Sequence, residues 1–155
     1  MDKKKLLKAV QEALEEELRR QLAAQQTAAA GATHVEARAE TKWDTCGLEQ
    51  SYLARGHAKQ FEVLARQVEE LRSYMPPCFS GKPIGPGALV ETEMDGETLL
   101  FFLLHCGGGI EFDADGCKIT VITPESPVGA ALAGKEQGDV YSFRTGMTGK
   151  IRRVE

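Results

Sequence analysis

Hydrophobic positions along this chain change their period about half way. Ala54, His57, Phe61, Leu64, Val68, Leu71 and Met75 recur at alternating steps of three and four. That is the a/d repeat of a helix with one buried seam. The earlier segment carries a looser stripe, Leu7, Val10, Leu14, Leu18, Leu22, Gln25 and Ala29, with mostly four-residue steps. Val35 and Ala39 prolong it across Gly31 towards Lys42, and the second helix is expected to begin near Leu48, just after Gly47. Two apolar stripes joined by a short polar turn predict an antiparallel coiled-coil helical hairpin over residues 1–75, with its tip near 40–50. At 1.5 Å rise per residue, about 27 helical residues make an arm of roughly 40 Å.

The pattern breaks at MPPCFSGKPIGPG, residues 75–87. Only Gly31, Gly47 and Gly56 of the 16 glycines, and none of the 6 prolines, come before it. Pro76 and Pro77 end any helix, so residues 76–87 read as a linker. Beyond it, ALVETEM and TLLFFLLH flank the turn Asp95-Gly96, a hairpin signal that Asp115-Gly116 repeats before KITVIT. In SPVGAALAGKEQGD, Ser126 is placed to cap a short helix, Pro127 to occupy its first position and Gly134 to end it. DVYSFRT and GKIRRVE read as strands around Gly146. Gly107–Gly109 read as a bend or bulge and not as a phosphate loop, because no helix with Lys-Ser/Thr follows. The expected class is α+β: two long helices, then a domain over 88–155 built of a small antiparallel sheet carrying one short helix.

Charge narrows the function classes. A net charge of −4 argues against independent nucleic-acid binding, which needs a basic surface. The Lys and Arg residues alternate with acids, as on a solvated helix face. Cys46, Cys78, Cys106 and Cys117 form no CxxC pair, so neither a zinc site nor a disulfide framework is expected. The basic start MDKKKLLK leads into acids and not into an apolar h-region, so no signal peptide is read. The longest apolar run, LLFFLL at 99–104, falls short of the ~20 residues a membrane span needs. A reduced, soluble, cytoplasmic protein without a membrane partner is the expectation.

Candidate chemistry gathers at ETKWDTCGLEQSY, residues 40–52, which holds the single Trp of the chain and the carboxylates of Glu40, Asp44 and Glu49. Asp-Thr-x-Gly alone would reverse the chain. Asp44 has two readings: a cap for the second helix, or a carboxylate offered to a hard cation. Glu36 and Glu40 are, by default, solvated helix residues, and Trp43 is expected to pack on the opposing arm rather than to contact a partner. His57 lies on the seam as a core histidine, and His34 and His105 lack partners at ligand spacing.

The segment ITPESPVGAALAGKEQGDVYSF resembles the C-terminal domain of the Gre transcript-cleavage factors, whose pattern is roughly I-S-x-x-S-P-ϕ-A-x-A-L-ϕ-G-K-x-x-G-D. Ser126, Pro127, Ala131, Leu132, Gly134, Lys135, Gly138 and Asp139 meet it. The helical hairpin precedes this segment in the family's order, and the tip resembles a divergent bacterial branch marked by DTxGLExxYLA more than it resembles GreA or GreB. The resemblance implies an FKBP-like C-terminal domain that docks on bacterial RNA polymerase, with Ser126, Pro127 and Lys135 in the docking segment. It implies a monomer whose coiled coil enters the secondary channel and brings Asp44, Glu49 and Glu40 near the polymerase active site. There Asp44 and Glu49 would share its Mg²⁺, with no cofactor, stable metal or catalytic residue of the chain's own, and Trp43 would stiffen the apex.

One departure bears on the outcome. Cleaving members carry Asp-x-x-Glu within GDLxENAEY, whereas Asp44 and Glu49 stand five apart with Gly47 between, and Gln50 replaces the family's Asn. Cleavage stimulation and inhibition without cleavage both remain open. Two readings from other classes stand beside these. A prolyl isomerase would need an aromatic pocket from Phe79, Phe101, Phe102, Phe112, Tyr141 and Phe143, and an adaptor would use its heptads to dimerise between chains.

Overall fold

The computed structural model describes residues 1–32, 46–144 and 147–155. Helix α1 spans Lys3–Ala32 and α2 spans Cys46–Ser73. They are followed by β1 (Leu89–Met94), β2 (Glu97–Leu103), β3 (Glu111–Ala114), β4 (Cys117–Ile122), α3 (Pro127–Leu132), β5 (Val140–Arg144) and β6 (Met147–Val154). The α+β class holds. The chain divides into two compact units, Glu12–Arg72 and a second made of Met1–Gln11 with Ser73–Glu155.

In the unit Glu12–Arg72, Leu14 of α1 and Leu64, Val68 and Leu71 of α2 are buried. Arg72 of α2 meets Glu15 of α1 at 2.8 Å. The predicted stripe on α1 fails towards its far end, because Leu22 is 43 % exposed. At 3.6 residues per turn, each four-residue step rotates the side chain by about 40°, so three steps carry it off the buried face. The seam on α2 likewise stops short of Met75, which is 76 % exposed. The helix ends at Ser73 because Pro76 disfavours the α conformation at the residue before it.

In the other unit the strand order is β3-β4-β2-β1-β6-β5. Both Asp-Gly pairs make the expected tight turns, with φ 53 and 83 at Asp95 and Gly96 and φ 51 and 78 at Asp115 and Gly116. Positive φ at both positions gives the twist that two antiparallel strands need. The expected purely antiparallel sheet is corrected in one place: β2 and β4 run parallel, Leu100 facing Ile119 and Leu103 facing Ile122. After β2 the chain turns at Gly107 and Gly109, both at positive φ, and β3 lands one strand away from β2. The β3–β4 hairpin then folds back, and β4 fills the gap beside β2.

The burial of β2 explains its unbroken apolar run, since a strand covered on both faces needs no polar alternation. Phe102 and Leu103 are both fully buried although they point to opposite faces. On one face Val90, Phe101, Leu103, Ile122 and Ile151 pack with Leu132 of α3 and Tyr141 of β5. Burying side chains of this size stabilises the fold by about 1.5–3 kcal/mol each.

Candidate functional site

Of the residues expected at the acidic tip, Glu40, Trp43 and Asp44 lie outside the described residues. Glu49 sits in the first turns of α2. The geometry therefore concerns the second expected site, the docking segment that begins at Ser126.

Ser126 is committed to local structure. Its Oγ accepts from the backbone N–H of Gly129 at 3.0 Å and donates to the carbonyl of Thr123 at 2.7 Å. Its carbonyl accepts from Ala130 N–H at 2.8 Å. Pro127 follows at the start of the helix, where its missing N–H costs nothing. The backbone leaves α3 through Gly134 at φ 76, which any other side chain would strain. Gly129 is fixed for a different reason: a Cβ there would overlap the carbonyl of Thr123.

The loop after α3 is a rigid, exposed ridge. Gly134, Glu136, Gln137, Gly138 and Asp139 are all exposed, with Lys135 half-buried among them. Asp139 closes the ridge on itself: its carboxylate accepts from Glu136 N–H at 2.9 Å and its own N–H donates to the Glu136 carbonyl at 3.1 Å. Gly138 N–H donates to Ile151 O and Ile151 N–H to Asp139 O, each at 2.9 Å, which ties the ridge to β6. Val140 follows it, 54 % exposed.

Residues 76–87, read as a linker, form a strap held by hydrogen bonds. Ile84 N–H donates to Lys135 O and Gly134 N–H to Ile84 O, both at 2.8 Å, and the Ile84 side chain is 3 % exposed in the core. Further along, Lys3 Nζ donates to the carbonyls of Pro77 at 2.7 Å and Gly87 at 3.0 Å and lies 5.2 Å from the centre of the Phe79 ring. Burial pushes the Lys3 ammonium below its ordinary pKa, while Cys78 and Glu155 pull it back up. The Tyr74 hydroxyl donates to Pro86 O at 2.8 Å, and burial raises its pKa. Sequence patterning missed Ile84 and Lys3 as anchors. A single Ile between Pro83 and Gly85 was the available signal for one of them, and nothing in KKK separates Lys3 from its neighbours.

This arrangement can present a fixed backbone shape and one cation to a macromolecular surface. Among the described residues no group of three or more His, Cys, Asp or Glu is placed to hold a metal ion. Phe101, Phe102 and Tyr141, aromatics an isomerase pocket would require, are buried in the sheet unit. Among the described residues no helix is long and apolar enough to cross a membrane.

No model of a known protein family matches the chain, and no curated protein does. Among solved structures it is similar to GreA factor homolog 1 of Thermus thermophilus, at 22% identity and TM-score 0.40 over 94% of each chain. A structure of the transcription factor Gfh1 gives 26% identity and TM-score 0.41, covering 95% of this chain and 94% of that one. Gfh1 of Thermus aquaticus gives 23% and 0.39 at the same coverage.

Proposed function

We propose that the protein is a transcription elongation regulator that binds bacterial RNA polymerase. The observation that carries this reading is the segment Ser126–Asp139, whose Gre-like sequence folds into a capped helix followed by a rigid exposed ridge bearing Lys135. Such a ridge suits protein docking, because little conformational entropy remains to be lost when it is covered.

In this reading the two long helices form an antiparallel coiled-coil hairpin that enters the secondary channel. The 28 residues of α2 reach about 42 Å at 1.5 Å per residue. The apex then brings Asp44, Glu49 and Glu40 towards the active-site Mg²⁺ of the polymerase, with Trp43 packed at the turn. Carboxylate oxygens are the donors that a hard cation such as Mg²⁺ takes, alongside water and phosphate. The ion belongs to the polymerase, which carries out any hydrolysis. Asp44 and Glu49 orient the ion or its water, and the chain itself is not an enzyme. The globular unit, FKBP-like in this reading, serves as the anchor, and the protein acts as a cytoplasmic monomer.

A second reading, inhibition without cleavage, is favoured by the five-residue separation of Asp44 and Glu49 around Gly47. The test is the length of RNA in a stalled, backtracked elongation complex after adding purified protein. Shortening supports cleavage stimulation, and arrest without shortening supports inhibition. RNA synthesis and length both unchanged at saturating protein would sink the proposal.

A further inference from the structure

We propose that a groove between the first turns of α1 and residues 74–76 docks an acidic segment of the polymerase surface carrying an apolar side chain. The inference rests on the polymerase reading and adds a second contact, separate from the Ser126–Asp139 ridge. Leu7, Met75 and Pro76 floor a cavity of about 430 Å³, and Lys3, Lys4 and Lys8 stand around it. Met75 is the most exposed of the large apolar side chains described, at 76 %.

The charge of the groove is one-sided. Asp2 also lines it, but its carboxylate accepts from Lys4 N–H at 3.0 Å and its carbonyl from Lys5 and Leu6, so Asp2 serves as the cap of α1. Among the residues lining the groove, Lys3, Lys4 and Lys8 therefore outnumber the single carboxylate, which is already engaged, and Lys8 has an interaction of its own within the chain. Two of the Lys3 protons are taken by carbonyls, which fixes its charge at the edge of the strap. Lys4 and Lys8 are exposed.

An acidic polypeptide complements this surface better than a nucleic acid does. The floor is aliphatic, and its one aromatic ring, Tyr74, is held by its hydroxyl on Pro86 O. Bases are held by stacking on aromatic faces, and Tyr74 is the single aromatic residue among those lining the groove. A methionine flanked by lysines instead suits an apolar anchor with carboxylates beside it, since Met adapts to irregular partners and the charges steer and orient the encounter.

The experiment measures binding of fluorescently labelled full-length protein to core RNA polymerase across a range of salt. The double variant Lys4→Glu/Lys8→Glu is expected to bind about tenfold or more weakly, with a flatter salt dependence. Met75→Ser is expected to lose a few-fold, roughly threefold to tenfold, with the wild-type salt dependence retained. All three sites are exposed, so unchanged melting temperatures verify that the variants are folded. Wild-type affinity in the double variant would overturn the groove alone and leave the polymerase reading standing. A parent protein that does not bind polymerase would overturn both. Tight binding of a single-stranded RNA oligonucleotide that the same lysine changes abolish would overturn the acidic segment in favour of nucleic acid.

Discussion

Gly149 of β6 lies against the ring of Tyr141 on β5, so closely that a Cβ at Gly149 would stand 2.5 Å from the ring's Cε1 and 2.7 Å from its Cζ. The ring cannot retreat, because Tyr141 is 1 % exposed and its hydroxyl lies 3.1 Å from the Oγ1 of the fully buried Thr92. Gly149→Ala is therefore expected to destabilise the fold by about 1–3 kcal/mol, the usual cost of overpacking. Tyr141→Phe should cost about 0.5–1.5 kcal/mol through its lost hydrogen bond. It should not rescue Gly149→Ala, because the clashing ring carbons remain. Denaturant unfolding of the single and double variants checks both expectations.

Asp44 separates capping from metal chemistry. Asp44→Asn keeps a good cap and removes the charge, whereas Asp44→Ala removes both. If the carboxylate acts at Mg²⁺, both variants lose the effect on RNA equally, while Asn retains stability and polymerase binding. If it is only a cap, Asn behaves as the parent and Ala lowers stability by about 0.5–2 kcal/mol. An active Asn variant in the backtracked-complex assay would end the metal role.

The proposed docking role of the ridge after α3 allows folding and contact to be separated. Ser126→Ala removes the acceptor for Gly129 N–H and should lower stability by about 0.5–2 kcal/mol. Lys135→Glu leaves the backbone bonds of the ridge in place, so it should keep the melting temperature and weaken binding to polymerase. A Lys135→Glu protein that binds as tightly as the parent would remove Lys135 from the contact.

The β3–β4 hairpin carries an exposed charge pair, Lys118 Nζ at 2.6 Å from Glu111 Oε2. The hydrogen bond and charge of Lys118 hold the Glu111 carboxyl below its ordinary pKa, and Glu111 raises that of Lys118 in the same way. The depressed carboxyl means that its contribution is present above the unfolded-state pKa and is lost as pH falls through the lower folded value. The raised ammonium means that its contribution is present below the unfolded pKa and is lost as pH rises through the higher folded value. An NMR titration should show Glu111 returning to the ordinary range in Lys118→Met. The same midpoint in both proteins would show that the pair does not persist in solution.

Features encoded by neighbouring residues were legible in the sequence. Asp95-Gly96 and Asp115-Gly116 announce their turns because the backbone they need is one that few other residues adopt. Ser126, Pro127 and Gly134 announce α3 for similar local reasons. The parallel pairing of β2 with β4 had no such marker, since it depends on where a hairpin lands after a turn and not on any one residue. Ile84 and Lys3 were missed because their partners lie far along the chain, at Gly134 and Lys135 and at Pro77 and Gly87. At the tip the residue types were readable, but a choice between cap and ligand depends on what the Asp44 oxygens meet.

The pairing of β1 with β6 sets an order for assembly on the ribosome. β1 is complete once Met94 has been made, and β2 covers one of its edges a few residues later. Its other edge waits for the last strand, where Val90 faces Val154 and Glu91 faces Arg153. Until those residues leave the exit tunnel, β1 presents unpaired N–H and C=O groups beside an apolar face, the condition under which nascent chains associate with one another. A premature stop anywhere between β5 and β6 therefore removes far more than a terminal strand. It leaves a central strand of the sheet as an edge, and such a product is expected to aggregate or to be degraded rather than to persist as a shortened chain.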